Sequence, residues 1–181
     1  HVIVDDCGSG LRSAVNAGLV AHATSMGDRC VYLNGPAGVA AAATVRTDAA
    51  TYSSVYAVYC DPWVYIYDDT TGSEQLVPSA SFAASVASQL PPSTSIAWKA
   101  DTVQQMLGGI IRLEYNRGVS VGGNTTAGVA TFIREENAGH SIEAGVLTVA
   151  PANPAKKNHT RTQMGIYILS ALRRSLRPYT D

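Results

Sequence analysis

Apolar positions in residues 1–50 follow two kinds of spacing. Short apolar runs at 2–4 and 29–33 are typical of buried strands. Between them apolar residues recur at helical spacing and Gly27 follows the last one, which predicts a glycine-capped helix. The helical set is Leu11, Val15, Leu19, Ala23 and Met26. Pro36 is well placed to start a second helix over 37–48, so this segment predicts a parallel α/β unit.

The middle segment, residues 51–127, carries an aromatic run between Tyr56 and Tyr67. Alternating tyrosines favour strands, and a proline within the run marks an edge or a bend. Turn residues then predict a hairpin, and small residues after Ser79 predict a capped helix that ends before Pro91. The predicted elements are strands at 52–59, 63–67 and 73–77, a break at Pro62, a turn at 68–72 and helices at 80–89 and 102–107, with 110–113 undecided and 119–127 irregular.

The last segment, residues 128–181, is predicted to form a β-hairpin followed by a helix. The hairpin strands are expected at 129–134 and 141–149, with a turn at 137–139. The closing helix has the clearest pattern in the chain. One face of it combines Met164, Ile168, Ala171, Leu172 and Ser175. Its C-terminal end carries Arg173, Arg174 and Arg177, where the helix dipole favours cations.

Composition fits one domain of mixed α/β class. The chain has 181 residues and 46% apolar residues, enough for a proper core. Charged residues make up only 15%, against about 25% in typical domains. Such a neutral exterior suits a subunit that is buried against copies of itself. A net charge of −1 gives no basic field for nucleic acid, and no apolar run is long enough to span a membrane.

The start of the chain suggests a piece of a longer protein. The sequence lacks an initiator Met and a signal peptide, and it opens directly into the first strand. We therefore expect a fragment. Composition alone favours an Ala-rich soluble enzyme domain over a subunit that is buried against its own copies.

Candidate chemistry is sparse. Asp5 and Asp6 follow the first strand, where α/β enzymes place carboxylates, but a solvated loop is the simpler interpretation. Glycine-containing turns at 8–10 and 35–38 match no phosphate-binding motif. Histidines lack metal-ligand spacing, and the three cysteines, Cys7, Cys30 and Cys60, favour buried free thiols. We therefore expect no catalytic residue, no metal site and no cofactor.

Two surfaces remain open to interpretation. The tyrosines between Tyr56 and Tyr67 would either line a ligand groove or pack the sheet against helices or a neighbouring subunit, and packing is favoured. The arginines of the last helix form a basic patch without interleaved aromatic residues, which is either a solvated face or a docking surface for an acidic patch. The patch comprises Arg161, Arg173, Arg174 and Arg177.

Several short motifs, in their order along the chain, resemble those of contractile phage tail sheath proteins. They are Tyr59-x-x-Pro62-Trp63, Val77-Pro78-Ser79, Trp98-Lys99-Ala100, Gly128-Val129-x-x-Phe132-Ile133-Arg134, Glu143-Ala144-Gly145 with Thr148, and Asn158-His159 before an arginine-bearing helix. The resemblance covers most of the chain. It departs from the family in lacking a second proline after Pro78, an A-R-x-D segment after the small-residue helix, and a proline after Ala100. The family's terminal segments are also missing.

This resemblance implies a sheath core domain with a mixed β-sheet flanked by helices and with no catalysis. Sheath subunits stack as rings around a tail tube and contract once, which drives the tube through a bacterial envelope. The implied partners are other copies of the chain, a tail tube protein and a baseplate. The implied location is the tail sheath of a virion assembled in the host cytoplasm.

The resemblance also suggests where copies would meet. The strand pair at 129–133 and 141–149 would offer a sheet edge to a strand donated by a neighbour. The arginine cluster would face an acidic patch on a neighbouring subunit or on the tube. Expected interface residues are Arg173, Arg174, Arg177, Ile142 and Val129. The piece alone is expected to be monomeric, because the extensions that join sheath subunits are missing from it.

Two alternatives of other classes stay open. The first is a small α/β hydrolase or phosphatase that uses Asp5 and Asp6, which predicts a deep pocket beside them with a divalent metal. The second is a carbohydrate- or peptide-binding module that uses the tyrosines between Tyr56 and Tyr67, which predicts a concave groove exposing several rings.

Overall fold

The computed structural model describes residues 2–4, 11–97, 107–117, 123–135 and 139–176. Within these ranges the strands are β1 (Val2–Val4), β2 (Cys30–Asn34), β3 (Ala57–Asp61), β4 (Val64–Asp68), β5 (Ser73–Val77), β6 (Ile110–Leu113), β7 (Val129–Glu135) and β8 (Gly139–Ile142). The helices are α1 (Arg12–Met26), α2 (Ala42–Ala50), α3 (Ala80–Gln89) and α4 (His159–Leu176), and a 3₁₀ turn spans Pro154–Lys156. This content confirms the predicted mixed α/β class.

Five strands form a central sheet in the order β1-β2-β3-β7-β8. The first four are parallel, and β8 pairs with β7 in antiparallel register. Helix α1 links β1 to β2 and α2 links β2 to β3, so both crossovers advance in the same direction along the sheet. Right-handed crossovers of this kind place their helices on one face. Ala23 of α1 and Val45 of α2 accordingly share one core cluster.

The strands of the central sheet are buried on both faces, as expected for a parallel sheet. Val31, Leu33 and Tyr59 point to the face covered by α1 and α2. Their neighbours Tyr32 and Cys60 point to the opposite face. That second face packs against α3, whose buried positions are nearly all alanines. They are Ala80, Ala83, Ala84, Val86 and Ala87.

A small antiparallel sheet in the order β5-β4-β6 is built onto the second face. The chain crosses from β3 to β4 at Pro62, where the sequence predicted a break, and the Asp61–Pro62 peptide bond is cis. The predicted hairpin is confirmed, with Val64 paired to Val77 and a turn closed by Gly72. Residues 110–113, which the pattern left undecided, form β6 and pair with β4.

Helix α2 begins at Ala42, not at residue 37 as Pro36 suggested. Four backbone groups between Gly35 and Ala40 are bonded by side chains from elsewhere in the chain. The Gly38 amide donates to Glu114 Oε1 over 2.6 Å, and the carbonyl oxygen of Val39 accepts from Arg117 over 2.8 Å. Because these groups bond outside the segment, they are not free to start a helical ladder.

Two predicted strands are shorter than the pattern suggested. β3 begins at Ala57 because the Ser54 hydroxyl accepts a hydrogen bond from the Tyr56 amide at 3.1 Å, which forms a local turn. β8 ends at Ile142 because the chain then leaves the sheet. Thr148 bonds instead to the segment before β3, with its Oγ1 donating to the carbonyl of Tyr52 over 2.6 Å.

Some predictions fall outside the residues that the structure describes. These predictions are the helix at 102–107, of which residues 102–106 are not described, and the turn at 137–139, of which residues 137 and 138 are not described. Residues 119–122 of the predicted irregular stretch at 119–127 also lie outside the described ranges. In the part of the chain that is described, no helix has the length and hydrophobicity needed to cross a membrane.

Candidate subunit interface

The carboxyl ends of β2 and β3 are where an enzyme of this class would carry its site. At that place Asp61, the last residue of β3, accepts two hydrogen bonds from Arg117, at 2.8 Å and 3.0 Å. The two side chains are only 2% and 4% exposed.

Arg117 and its neighbours join the small sheet to the central sheet. The Arg117 guanidinium also donates to the carbonyl oxygens of Val39 and Ala40. The indole Nε1 of Trp63 donates to the Gly35 carbonyl over 2.8 Å. Burial raises the pKa of the Asp61 carboxyl, and Arg117 opposes that rise. We call these contacts of Asp61, Arg117 and Trp63 the joint between the two sheets. Its role is structural, because its charged and polar groups bond one another and are not free to act on a ligand.

Helix α4 is attached to the domain through its first turns. His159 is fully buried, and its Nε2 shares a hydrogen bond of 2.8 Å with the Tyr32 hydroxyl. Burial lowers the pKa of His159 to about 4, so the ring is neutral at physiological pH. Further along, Ile166 packs against the core cluster on the α3 face. These contacts fix which side of α4 faces inward.

The apolar face of α4 that the sequence identified points outward. At about 100° per residue, Ile168 and Leu172 lie opposite the inward-facing His159 and Ile166. All six residues from 171 to 176 are exposed. Large apolar side chains on α4 are between 45% and 59% exposed, namely Tyr167, Ile168, Leu169, Leu172 and Leu176. An apolar surface of this extent on one helix is typical of an interaction site.

Two arginines of the predicted cluster, Arg173 and Arg174, lie at the exposed end of α4. Arg173 pairs with Asp28, which precedes β2, over 3.3 Å, and remains 61% exposed. Arg174 lines a groove of about 260 Å³ between α4 and the end of α3, next to Tyr167. Arg177 lies outside the described residues. Arg173 and Arg174 are thus on the surface, and the partner of the cluster in an assembly stays a prediction.

The two side chains predicted for the hairpin interface do not reach the surface of the chain. Val129 and Ile142 are both fully buried within their own chain. Val129 lies on β7, between β3 and β8, and Ile142 belongs to the core cluster on the α3 face. A side chain buried in this way cannot contact a neighbour. Any role in an interface therefore falls to the backbone of β8, the last strand of the described sheet.

The enzyme alternative depends on residues that the structure does not describe. Asp5 and Asp6 lie outside the described residues, as does Cys7. Among the residues that the structure describes, no group of His, Cys, Asp and Glu is arranged to hold a metal. Cys30 and Cys60 are buried free thiols, as predicted, and burial raises the pKa of Cys30 to about 12.

The tyrosines of the aromatic run are dispersed over different surfaces. Tyr59 is buried under α2, where its hydroxyl donates to Asp48. Tyr65 and Tyr67 lie on the outer face of the small sheet, and the Arg112 guanidinium sits 3.4 Å from the Tyr65 ring centre. Tyr56 lines a small cavity beside α4. The rings therefore do not line one groove, as the binding-module alternative requires.

The arrangement of these layers is similar to that of proteins from contractile injection systems. A chain of the anti-feeding prophage baseplate matches with a TM-score of 0.72 at 12% identity, over 96% of this chain and 44% of that one. The contracted helical sheath of the anti-feeding prophage matches with a TM-score of 0.68 at 11% identity, over 97% and 46%. This chain has the sheath-protein fold. The sheath tail protein from Desulfitobacterium hafniense matches with a TM-score of 0.66 at 11% identity, over 92% and 37%.

No protein-family model and no curated protein matches the sequence. The chain spans less than half the length of each of these structural neighbours. The resemblance drawn from the short motifs is confirmed at the level of the fold, including the mixed sheet flanked by helices. The neighbours are structural parts of contractile assemblies, which makes the exposed surface of the fold the place to look for function.

Proposed function

We propose that this chain is a structural subunit of a contractile tail-type sheath. It polymerises around a tail tube and contracts, which drives the tube through a bacterial envelope. The observation that carries the proposal is the match of 96% of the chain to a chain of a contractile injection system, with a TM-score of 0.72. The outward apolar face of α4 supports it, because such a face needs a partner.

A contractile sheath needs a subunit with two stable packings in its lattice. This domain suits that requirement because the buried pair of Asp61 and Arg117 ties its two sheets together within one copy. Contraction would then change contacts between copies and leave each copy intact. Nothing in this role calls for a catalytic group, a metal or a cofactor.

The proposed partners are other copies of the chain, a tail tube protein and a baseplate. The β8 backbone would accept a strand from a neighbour, as in β-augmentation. Arg173, Arg174 and Arg177 would face an acidic patch on a neighbouring subunit or on the tube. The assembly would be a tail sheath of a bacteriophage virion or a phage-like machine, put together in the host bacterial cytoplasm.

Negative-stain electron microscopy of the native protein, purified from cells that produce it, tests this proposal. We expect rings or hollow tubes with a regular repeat of subunits. Particles that stay single and unassembled at the highest soluble concentration, with and without a co-expressed tube protein, would contradict the proposed function.

A further inference from the structure

Two exposed surfaces of the domain lie at opposite ends of the central strands. The first residue of α4, His159, contacts Tyr32 in the middle of β2. The last turns of α4 lie near the start of β2, where Arg173 pairs with Asp28. The small sheet is attached at the other end, where Arg117 binds Asp61 at the end of β3. The two surfaces therefore cannot meet within one copy.

The α4 surface combines an apolar stripe with positive charge. Residues 159–176 contain three arginines and no acidic residue, a formal charge of +3. Ile168 and Leu172 form the centre of the stripe, and both are 50% exposed. Arg161 is exposed and lies two turns before Ile168 on the same side of the helix, whereas Arg173 is turned about 100° away from Leu172 and pairs with Asp28.

The small sheet presents the complementary combination. Residues 64–77 contain three acidic residues and no lysine or arginine, a formal charge of −3. Tyr65, Tyr67 and Leu76 lie on the outer face, where Tyr65 is paired with Leu76, and Tyr67 is 56% exposed. The acidic residues are Asp68, Asp69 and Glu74. Arg112 of β6 pairs with Glu74, which leaves the two aspartates of the turn as the dominant charge.

We propose that the outer face of α4 in one copy docks on the outer face of the β4–β5 hairpin of the next copy. This inference rests on the proposed function and names the surfaces that it would use. Opposite charges around apolar centres favour this pairing and disfavour α4 against α4. Because the two surfaces differ and lie at opposite ends, the contact is head to tail and repeats along a ring or a filament.

The exposed apolar area of α4 is large enough for a specific contact but too small to hold an isolated pair of subunits together. Half-exposed side chains at five positions amount to on the order of 400 Å² of apolar surface, the range in which exposed patches mark interaction sites. A stable isolated pair needs about 800 Å² on each partner. We therefore expect this contact to hold in the assembly together with others.

Disulfide trapping in the native protein tests the contact. Leu172→Cys is placed in one tagged chain and Tyr67→Cys in a second, both in a Cys7→Ser background. We expect a mixed disulfide between the two tags under mild oxidation. The matched control pairs Leu172→Cys with Ser53→Cys, an exposed position on the connection between α2 and β3, and should give at least about tenfold less product.

Charge-reversal variants distinguish a disulfide formed through the proposed docking from one formed by random encounter of the two cysteines. Arg161→Glu in the first chain should lower the rate of disulfide formation about fivefold, and Asp69→Arg in the second should restore it. Lys157→Glu, at an exposed position outside α4, should leave the rate unchanged.

Each outcome decides the inference. Product no greater than that of the control pair overturns it, and so does trapping of Leu172→Cys by a protein of different mass. If electron microscopy shows regular particles while the mixed disulfide is missing, the docking is wrong and the proposed function stands. If the disulfide forms without particles, the docking is supported and the proposed function is contradicted.

Discussion

Removal of the Arg117 side chain should strongly destabilise the fold. In Arg117→Ala, the Asp61 carboxylate, 2% exposed, loses both of its charge-assisted hydrogen bonds. The carbonyl oxygens of Val39 and Ala40 lose their donor as well. Breaking one half of a buried ion pair costs about 3–5 kcal/mol. The whole domain is expected to have about 5–15 kcal/mol of stability, so the loss should be plain.

Urea denaturation followed by tryptophan fluorescence measures this loss, because Trp63 donates to Gly35 beside the joint. The matched control is Arg112→Ala, which breaks an exposed ion pair with nearly the same distance between its charged atoms, 2.9 Å against 2.8 Å. Arg112 and Glu74 are 48% and 41% exposed, so the control should cost less than about 1 kcal/mol.

A double variant checks the reason for the loss. In Asp61→Leu with Arg117→Met, neither charge remains to be buried, and most of the stability lost in Arg117→Ala should return. The reasoning is refuted if Arg117→Ala costs no more than Arg112→Ala. It is also refuted if the double variant is as unstable as the single one, since an unpaired carboxylate would then not be the cause.

Three further predictions concern stability and assembly. The folded-state pKa of His159, about 4, is below its ordinary 6.5, so the free energy of unfolding should fall as pH drops from about 6.5 towards 4. His159→Gln should flatten that part of the profile. Gly128→Ala should lower the free energy of unfolding by more than about 2 kcal/mol, because φ is +81° and a Cβ would lie 2.7 Å from the carbonyl oxygen of Leu147. Gly18→Ala within α1, where a Cβ would meet no atom within 4 Å, should raise it by about 0.5–1 kcal/mol. Urea denaturation measures both changes. Leu172→Ser should change the stability of the isolated chain by less than about 0.5 kcal/mol but weaken assembly, as measured by sedimentation.

Local patterns predicted most of the elements because the residues that decide them are close in sequence. Gly27 caps α1 with a left-handed φ of 64°, and the turn before Gly72 closes the β4–β5 hairpin. Helix α3 has the predicted bounds, although the Ser79 hydroxyl makes no cap bond. The Ala80 amide instead donates to Asn34 Oδ1 over 2.8 Å, a partner from a distant strand.

Long-range bonds decided the features that the sequence did not reveal. The joint between the sheets pairs Asp61 with Arg117, which are 56 residues apart, and no local pattern links them. The same joint holds residues 35–41 as a loop and so delays α2. A charged residue at the end of a buried strand, directly before a proline, was the one local hint.

The α4 face shows a different kind of limit. The apolar pattern correctly identified a helix and its apolar stripe, but period alone does not say whether a stripe faces the core or a partner. The inner side of α4 is more polar, with Thr162 and Gln163 beside Ile166. Only the three-dimensional arrangement shows that the stripe with Ile168 and Leu172 is turned to the outside.

A cryo-electron microscopy map of the native particle tests the central claim most directly. The account predicts a ring or hollow helical tube in which this domain repeats and in which every α4 is covered by the β4–β5 hairpin of an adjacent copy. A map in which the domain occurs as an isolated copy, with Ile168 and Leu172 facing solvent, would contradict the account.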